Sequence, residues 1–262
     1  MNRSVEVVER RTEVEGIEVH WRQAGDAPIL YVHGVPTASW DWLSFLERTG
    51  GVAPDLPGFG RSAKPAEFDY SIAGYDRFLE AFCAHAGLER FSLVVHDWGA
   101  VALALAQHFP ERIERLVLLS SVPLLPGYTW HRVARMWRTP ILGELTMGFT
   151  TRRGLRRALP RDVADRAWAD FDQGTQRAIL RLYRSAAPDE LARHGRRLGE
   201  LRCPALVLWP TDDPYFDAEL GRRYADALGG PVELELVEGG HWPWRARPEL
   251  VELAATFLAR LP

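Results

Sequence analysis

Lysine is all but missing from this chain: Lys64 is the only one. That has the form of a genome-wide compositional bias and points to no chemistry. Cysteine is scarce as well. Cys83 and Cys203 show no CxxC or Cys/His spacing, which excludes a disulfide framework and a zinc finger. No apolar run approaches the ~18 residues of a membrane span. The opening MNRSVEVVERRTEVEG is charged and lacks the apolar centre of a secretory signal. An excess of positive charge is missing too. The 32 basic residues face 35 acidic ones, for a net −3, so the composition carries no footprint of nucleic-acid binding. These absences predict a cytoplasmic protein with no nucleic-acid partner and no membrane partner, and they leave a homodimer open.

What is present reads as globular. Hydrophobic residues make up 47% of the 262 and charged residues 26%. At ~100–200 residues per domain the chain holds one large domain or two small ones. Short apolar runs at 29–32, 91–95, 113–119 and 205–209 alternate with helical patterns at 40–48, 72–86, 100–108, 217–228 and 249–261. Further strands are expected at 5–8, 17–23 and 232–237. Buried strands alternating with helices predict an α/β fold with a mostly parallel sheet covered on both faces.

One stretch breaks that rhythm. No strand pattern occurs from about 122 to 198, and the segment carries 15 arginines against seven acids. That excess of eight bases leaves the rest of the chain with an excess of eleven acids. The expected division is therefore a core of 1–121 with 199–262, and a basic helical insertion at 122–198. Such a segment is either a solvated face or a lid that shapes a pocket and favours anionic groups.

The sharpest local signal is Ser92-Leu-Val-Val-His-Asp97-Trp98-Gly99-Ala100. An apolar strand runs straight into a small-residue helix, with a polar residue at the junction. This is the setting of a nucleophile elbow, with Asp97 where G-x-S-x-G would place serine. The plain alternative is that Asp97 merely caps the helix. Four other segments bear on the choice. Tyr31-Val-His33-Gly34-Val35-Pro36 is a strand ending in a tight turn. Asp55-Leu-Pro-Gly58-Phe-Gly60-Arg-Ser62 is a second glycine turn. Trp209-Pro-Thr-Asp212-Asp213-Pro214 and Gly239-Gly240-His241-Trp242-Pro243 each follow an apolar strand. Chain order then runs nucleophile, acid, base: Asp97, Asp213, His241. Asp212 is the rival for the acid.

These pieces resemble the aspartate-nucleophile branch of the α/β-hydrolase fold, which holds epoxide hydrolases and haloalkane dehalogenases. HGVP, DLPGFGRS, VVHDWGA, DDP and GHWP lie along nearly the whole chain. The resemblance implies a mostly parallel twisted sheet flanked by helices, with 122–198 as an inserted helical cap. It implies an ester between Asp97 and a small-molecule substrate, hydrolysed by water that His241 activates and Asp213 orients. It prefers Asp213 to Asp212, because family members carry the acid immediately before the proline. The backbone N–H groups of Val35 and Trp98 would hold the oxyanion. No metal or organic cofactor is needed for this scheme. His33, Tyr128, Trp130 and Trp242 are expected around the substrate.

Leaving-group chemistry divides the branch. Epoxide opening needs an acidic O–H, and Leu182-Tyr183-Arg184 resembles the epoxide-hydrolase segment that bears a ring-opening tyrosine. Halide release needs neutral N–H donors, for which Trp98 and a cap tryptophan (Trp130, Trp137 or Trp168) are available. Val35 stands where one dehalogenase subgroup has asparagine. The expectation is an epoxide hydrolase, with a haloalkane dehalogenase as the alternative. An ester or lactone hydrolase ranks behind both, and a catalytically silent ligand-binding protein on the same scaffold is the non-enzyme reading.

Overall fold

Six strands have neighbours on both sides in one eight-stranded sheet, and five of these are apolar runs buried along all or nearly all their length. The computed structural model describes residues 5–260. Strands β1 (Val7–Val14), β2 (Ile17–Ala24), β3 (Ile29–Val32), β4 (Gly51–Pro54), β5 (Phe91–Asp97), β6 (Ile113–Ser121), β7 (Ala205–Pro210) and β8 (Val232–Val237) lie in the order β1-β2-β4-β3-β5-β6-β7-β8. The pairings β1–β2 and β2–β4 are antiparallel, and all others are parallel. β3, β5 and β7 are buried along their whole length. On β6 the side chains of Leu116 and Leu118 enter the core of one face, while Val117 and Leu119 enter the core of the other. β7 does the same with Val207 and Trp209 against Leu206 and Leu208. Each such side chain contributes about 1.5–3 kcal/mol of burial. Truncating Leu118 to alanine would cost about 2–5 kcal/mol.

The two edges are polar. β8 alternates half-buried valine and leucine with exposed Glu233 and Glu235, which blunts the edge against further pairing. β1 is longer than the 5–8 run predicts. Its Glu9-Arg10-Arg11 stretch has no apolar face to read, yet it pairs residue by residue with β2 through a two-residue turn at Glu15 and Gly16, both at positive φ. Backbone pairing, and not hydrophobic pattern, makes this strand.

Helix boundaries shift for identifiable reasons. Residues 40–42 form a 3-10 turn (Ser39–Trp42) before the helix Leu43–Thr49. After the elbow the chain makes another 3-10 turn, Trp98–Val101, and becomes α-helical only at Ala102–His108. The last helix spans Glu249–Leu258, and position 261 of the expected 249–261 helix lies outside the described residues.

Between β6 and β7 the described chain forms six helices, from Arg132–Arg138 to Pro188–His194, and no strand. The longest, Gln173–Ser185, begins at an Asp172 cap that accepts the Thr175 N–H at 2.9 Å and turns Ile179, Leu182 and Tyr183 inward. It ends just before Ala186-Ala187-Pro188, since a residue preceding proline avoids helical angles. Lys64 ties this helical layer to the sheet. Its Nζ donates to the Asp170 carbonyl at 2.7 Å and to Asp172 at 3.0 Å. Among the described residues no helix is long and apolar enough to cross a membrane.

Candidate active site

Strand order reverses at β3. The chain leaves β3 for β4 on one side and returns to β5 on the other. In open α/β sheets such a switch point opens a crevice at the strands' carboxyl ends. The ends of β3 and β5 bring Val35 and Asp97 there.

Asp97 sits at φ 50, outside the conformations a side-chain-bearing residue prefers. Such a position costs on the order of 1–3 kcal/mol and survives because its surroundings hold it. Two glycines make room. A Cβ on Gly34 would lie 2.4 Å from the Asp97 Cβ, and one on Gly99 would lie 2.1 Å from the Val32 carbonyl oxygen. The Asp97 side chain makes no cap bond to the helix that follows. Its Oδ1 instead accepts the Val35 N–H at 2.7 Å, and its Oδ2 faces His241 Nε2 at 3.6 Å.

The other ring nitrogen of His241, Nδ1, lies 2.7 Å from Asp213 Oδ2. Asp213 is in turn held by the Tyr215 N–H at 2.7 Å and the Phe216 N–H at 3.2 Å, both on Oδ1. The Ser120 hydroxyl donates to Asp213 Oδ2, and Ser120 carries a positive φ at the end of β6. Asp212 has a different place. It is exposed, and its Oδ1 accepts the N–H groups of Gly239 and Gly240 at 3.0 and 2.9 Å. It fastens the loop that carries His241 and does not reach the imidazole.

Charge and burial oppose one another at each group. Burial alone would raise the Asp97 carboxyl, but His241, His96 and the Val35 N–H outweigh it and hold Asp97 below the usual range. Burial likewise disfavours the Asp213 anion, and His241, Ser120 and the Tyr215 N–H again win. Burial pulls the His241 imidazole down, yet Asp213 and Asp97 push it up to about 9. Burial, reinforced by the Asp97 charge, lifts the Tyr183 hydroxyl well above its ordinary range, so it stays a donor at neutral pH.

A cavity of about 120 Å³ opens on this set. Asp97, His241, Val35, Tyr183 and Trp242 line it, together with residues of the helical segment between β6 and β7 such as Trp137. Three expected pocket residues do not line it. His33 is a buried strut: its Nε2 accepts the Leu56 N–H at 2.9 Å, and its Nδ1 lies 2.8 Å from the Gly34 carbonyl oxygen. Trp130 commits its indole N–H to the Ala186 carbonyl at 2.8 Å and stacks on Trp98, which removes it as a halide donor. Tyr128 packs edge-on against Trp130. Trp168 stacks on Phe171, away from the cavity. Trp98 does not line the cavity itself. Its ring lies edge-on to that of Tyr183 with centroids 5.0 Å apart, and its indole N–H favours the charged form of the Tyr183 hydroxyl, against the larger effect of burial.

Residues 27–244 match the family model described as alpha/beta hydrolase fold. The chain belongs to the α/β-hydrolase-fold family. It is 36% identical to a haloalkane dehalogenase of Bradyrhizobium diazoefficiens over 138 residues, which is 50% of this chain and only 44% of that protein. It is 30% identical to haloalkane dehalogenase 1 of Mycobacterium tuberculosis over 231 residues, 78% of this chain and 75% of that one. The solved structure of an ancestral haloalkane dehalogenase superposes with a TM-score of 0.82 at 25% identity, covering 95% of this chain and 98% of that one. These relatives are dehalogenase-like members of the family, which is consistent with its aspartate-nucleophile branch.

Sequence reasoning missed Ser120, His131 and Tyr215. Ser120 ends a parallel strand beside the acid, and Tyr215 follows the acid by two residues, so both carried a positional signal. His131 lines the cavity from the cap, where nothing in the sequence announces its direction.

Proposed function

We propose that this chain hydrolyses a carbon–halogen bond of a small organic halide through an ester on Asp97. The observation that carries this reading is the buried Asp97 carboxylate on the cavity, held through Oδ1 by the Val35 N–H and open at Oδ2, in a chain similar to a haloalkane dehalogenase over 78% of its length. The haloalkane dehalogenase relatives support the same side of the branch, so the epoxide reading expected from Tyr183 moves to second place.

Asp97 arrives prepared. Oδ1 is anchored by the Val35 N–H, which leaves Oδ2 as the attacking atom. Oδ2 forms the bond to carbon as the carbon–halogen bond breaks, and halide departs with the electron pair. His241 then takes a proton from water, and the hydroxide oxygen attacks the Asp97 carboxyl carbon. The oxyanion develops on Oδ1, where the Val35 N–H already points; losing such a donor costs about 2.7–4 kcal/mol of barrier. Collapse releases the alcohol, and the balance is one halide, one alcohol and one proton per water consumed. Residues 122–198 act as the cap that closes the cavity, whose size suits a small substrate.

The second reading keeps its own observation. The Tyr183 hydroxyl lines the cavity and stays protonated, as an epoxide-opening acid must. The test is a parallel assay of a short bromoalkane and a short terminal epoxide. Steady bromide release without diol formation is the expected result. Diol formation without bromide would transfer the reading to epoxides, and neither product would favour the ligand-binding alternative.

A further inference from the structure

Large apolar side chains are seldom left in water without a reason when they cluster. Among the described residues six are exposed, and five of them fall between 133 and 149: Val133, Ile141, Leu142, Leu145 and Phe149. Ile141 and Phe149 stand out furthest, at 75% and 80% exposure. The Leu145 N–H bonds the Ile141 carbonyl, and the Phe149 N–H bonds the Leu145 carbonyl. Those successive i,i+4 bonds put the three side chains on one face. Ile141 also holds a positive φ, which a β-branched residue rarely tolerates. Val133 belongs both to this group and to the cavity lining, so the apolar face borders the mouth of the site.

The surroundings are cationic. Arg132, Arg135, Arg153 and Arg157 are exposed and form no ion pair among the described residues. The acids nearest in sequence are already engaged: Glu144 with Arg184, Asp162 with Arg245, and Asp165 with Arg152 and Arg156. We propose that this face of the cap docks on an anionic phospholipid surface, with Ile141, Leu145 and Phe149 entering the interface and the free arginines meeting the headgroups. An apolar helix face flanked in sequence by helices with exposed arginines is the pattern of peripheral interfacial binding. A second copy of the chain fits poorly, because two such surfaces would oppose like charges. The expectation of no membrane partner rested on missing spans, which do not bear on peripheral contact. The arrangement would let an apolar substrate pass from the lipid to the cavity mouth.

The test is flotation of the whole chain with phosphatidylcholine vesicles, with and without about one-third phosphatidylserine. The chain is expected to float with the anionic vesicles and not with the neutral ones, and to be released by high salt. Ile141→Ser with Phe149→Ser, and separately Arg153→Gln with Arg157→Gln, should each cut binding at least about tenfold. Turnover of a water-soluble substrate without vesicles should stay the same in both variants. Absence of flotation, or flotation indifferent to both pairs of changes, overturns the proposal. So does a lipid-free dimer that Ile141→Ser dissolves, or an acidic protein that binds this face while vesicles do not. Flotation is read without any enzymatic activity, so its failure is separable from failure of the proposed reaction.

Discussion

Replacing Asp97 with asparagine should turn His241 from an imidazolium into a near-neutral base. Asp97 Oδ2 lies 3.6 Å from His241 Nε2. At an effective dielectric of about 20, a unit charge at that distance contributes roughly 4–5 kcal/mol, or roughly three pKa units. The asparagine dipole and local relaxation return part of this, so a fall of at least about 1.5 units is expected. In the resting protein, with His241 pushed up to about 9, only about one molecule in a hundred carries a neutral imidazole at pH 7. After the substitution that fraction rises to about a quarter or more. Alkylation discharges Asp97 in the same way. The base is therefore freed by the step that creates the ester it must hydrolyse. Titration of the His241 ring nitrogens by NMR, in wild type and Asp97→Asn, measures this directly. A pKa that moves by less than about half a unit would refute the coupling.

Two further outcomes follow from the same geometry. Tyr183→Phe should abolish any epoxide opening and leave halide release within a few-fold, as measured by diol and bromide assays; equal loss of both would mean that Tyr183 acts through packing on Trp98. Stability should also depend on pH through His241. Its folded pKa of about 9 exceeds the ordinary 6.5, so the folded state binds more protons between those values. The contribution, about 3 kcal/mol, is complete below about pH 6.5 and is lost as pH rises through about 9. Urea unfolding of wild type against His241→Gln should show this slope only in the wild type.

The centre of the sheet, and the two candidate site residues at its strand ends, were legible for one physical reason: these strands are buried on two faces. Such strands read as continuous apolar runs, and the polar residue that ends each run stands at the crevice. Asp97 and Asp213 each follow such a run, His241 follows the alternating edge strand β8, and the structure brings the three within hydrogen-bonding or ion-pair reach. β1 was legible only at its start, because its pairing satisfies backbone groups without burying an apolar face. The segment 122–198 was legible as helical and basic, but not in its directions. Trp130 spends its indole on a carbonyl, Tyr128 turns into packing, and His131 lines the cavity instead. Those outcomes depend on how short helices rotate against one another, which a single amphipathic pattern does not specify. For the same reason the choice between halide and epoxide rested on relatives, not on motif spacing.

The most direct test of the central claim is chemical. His241→Gln should still alkylate Asp97 but fail to hydrolyse the ester. Incubated with a bromoalkane, it should release about one equivalent of bromide in a burst, and mass spectrometry should find the alkyl group on the peptide containing Asp97. Wild-type turnover of the same substrate, with no adduct at Asp97 in the variant or with an adduct elsewhere, would contradict the account.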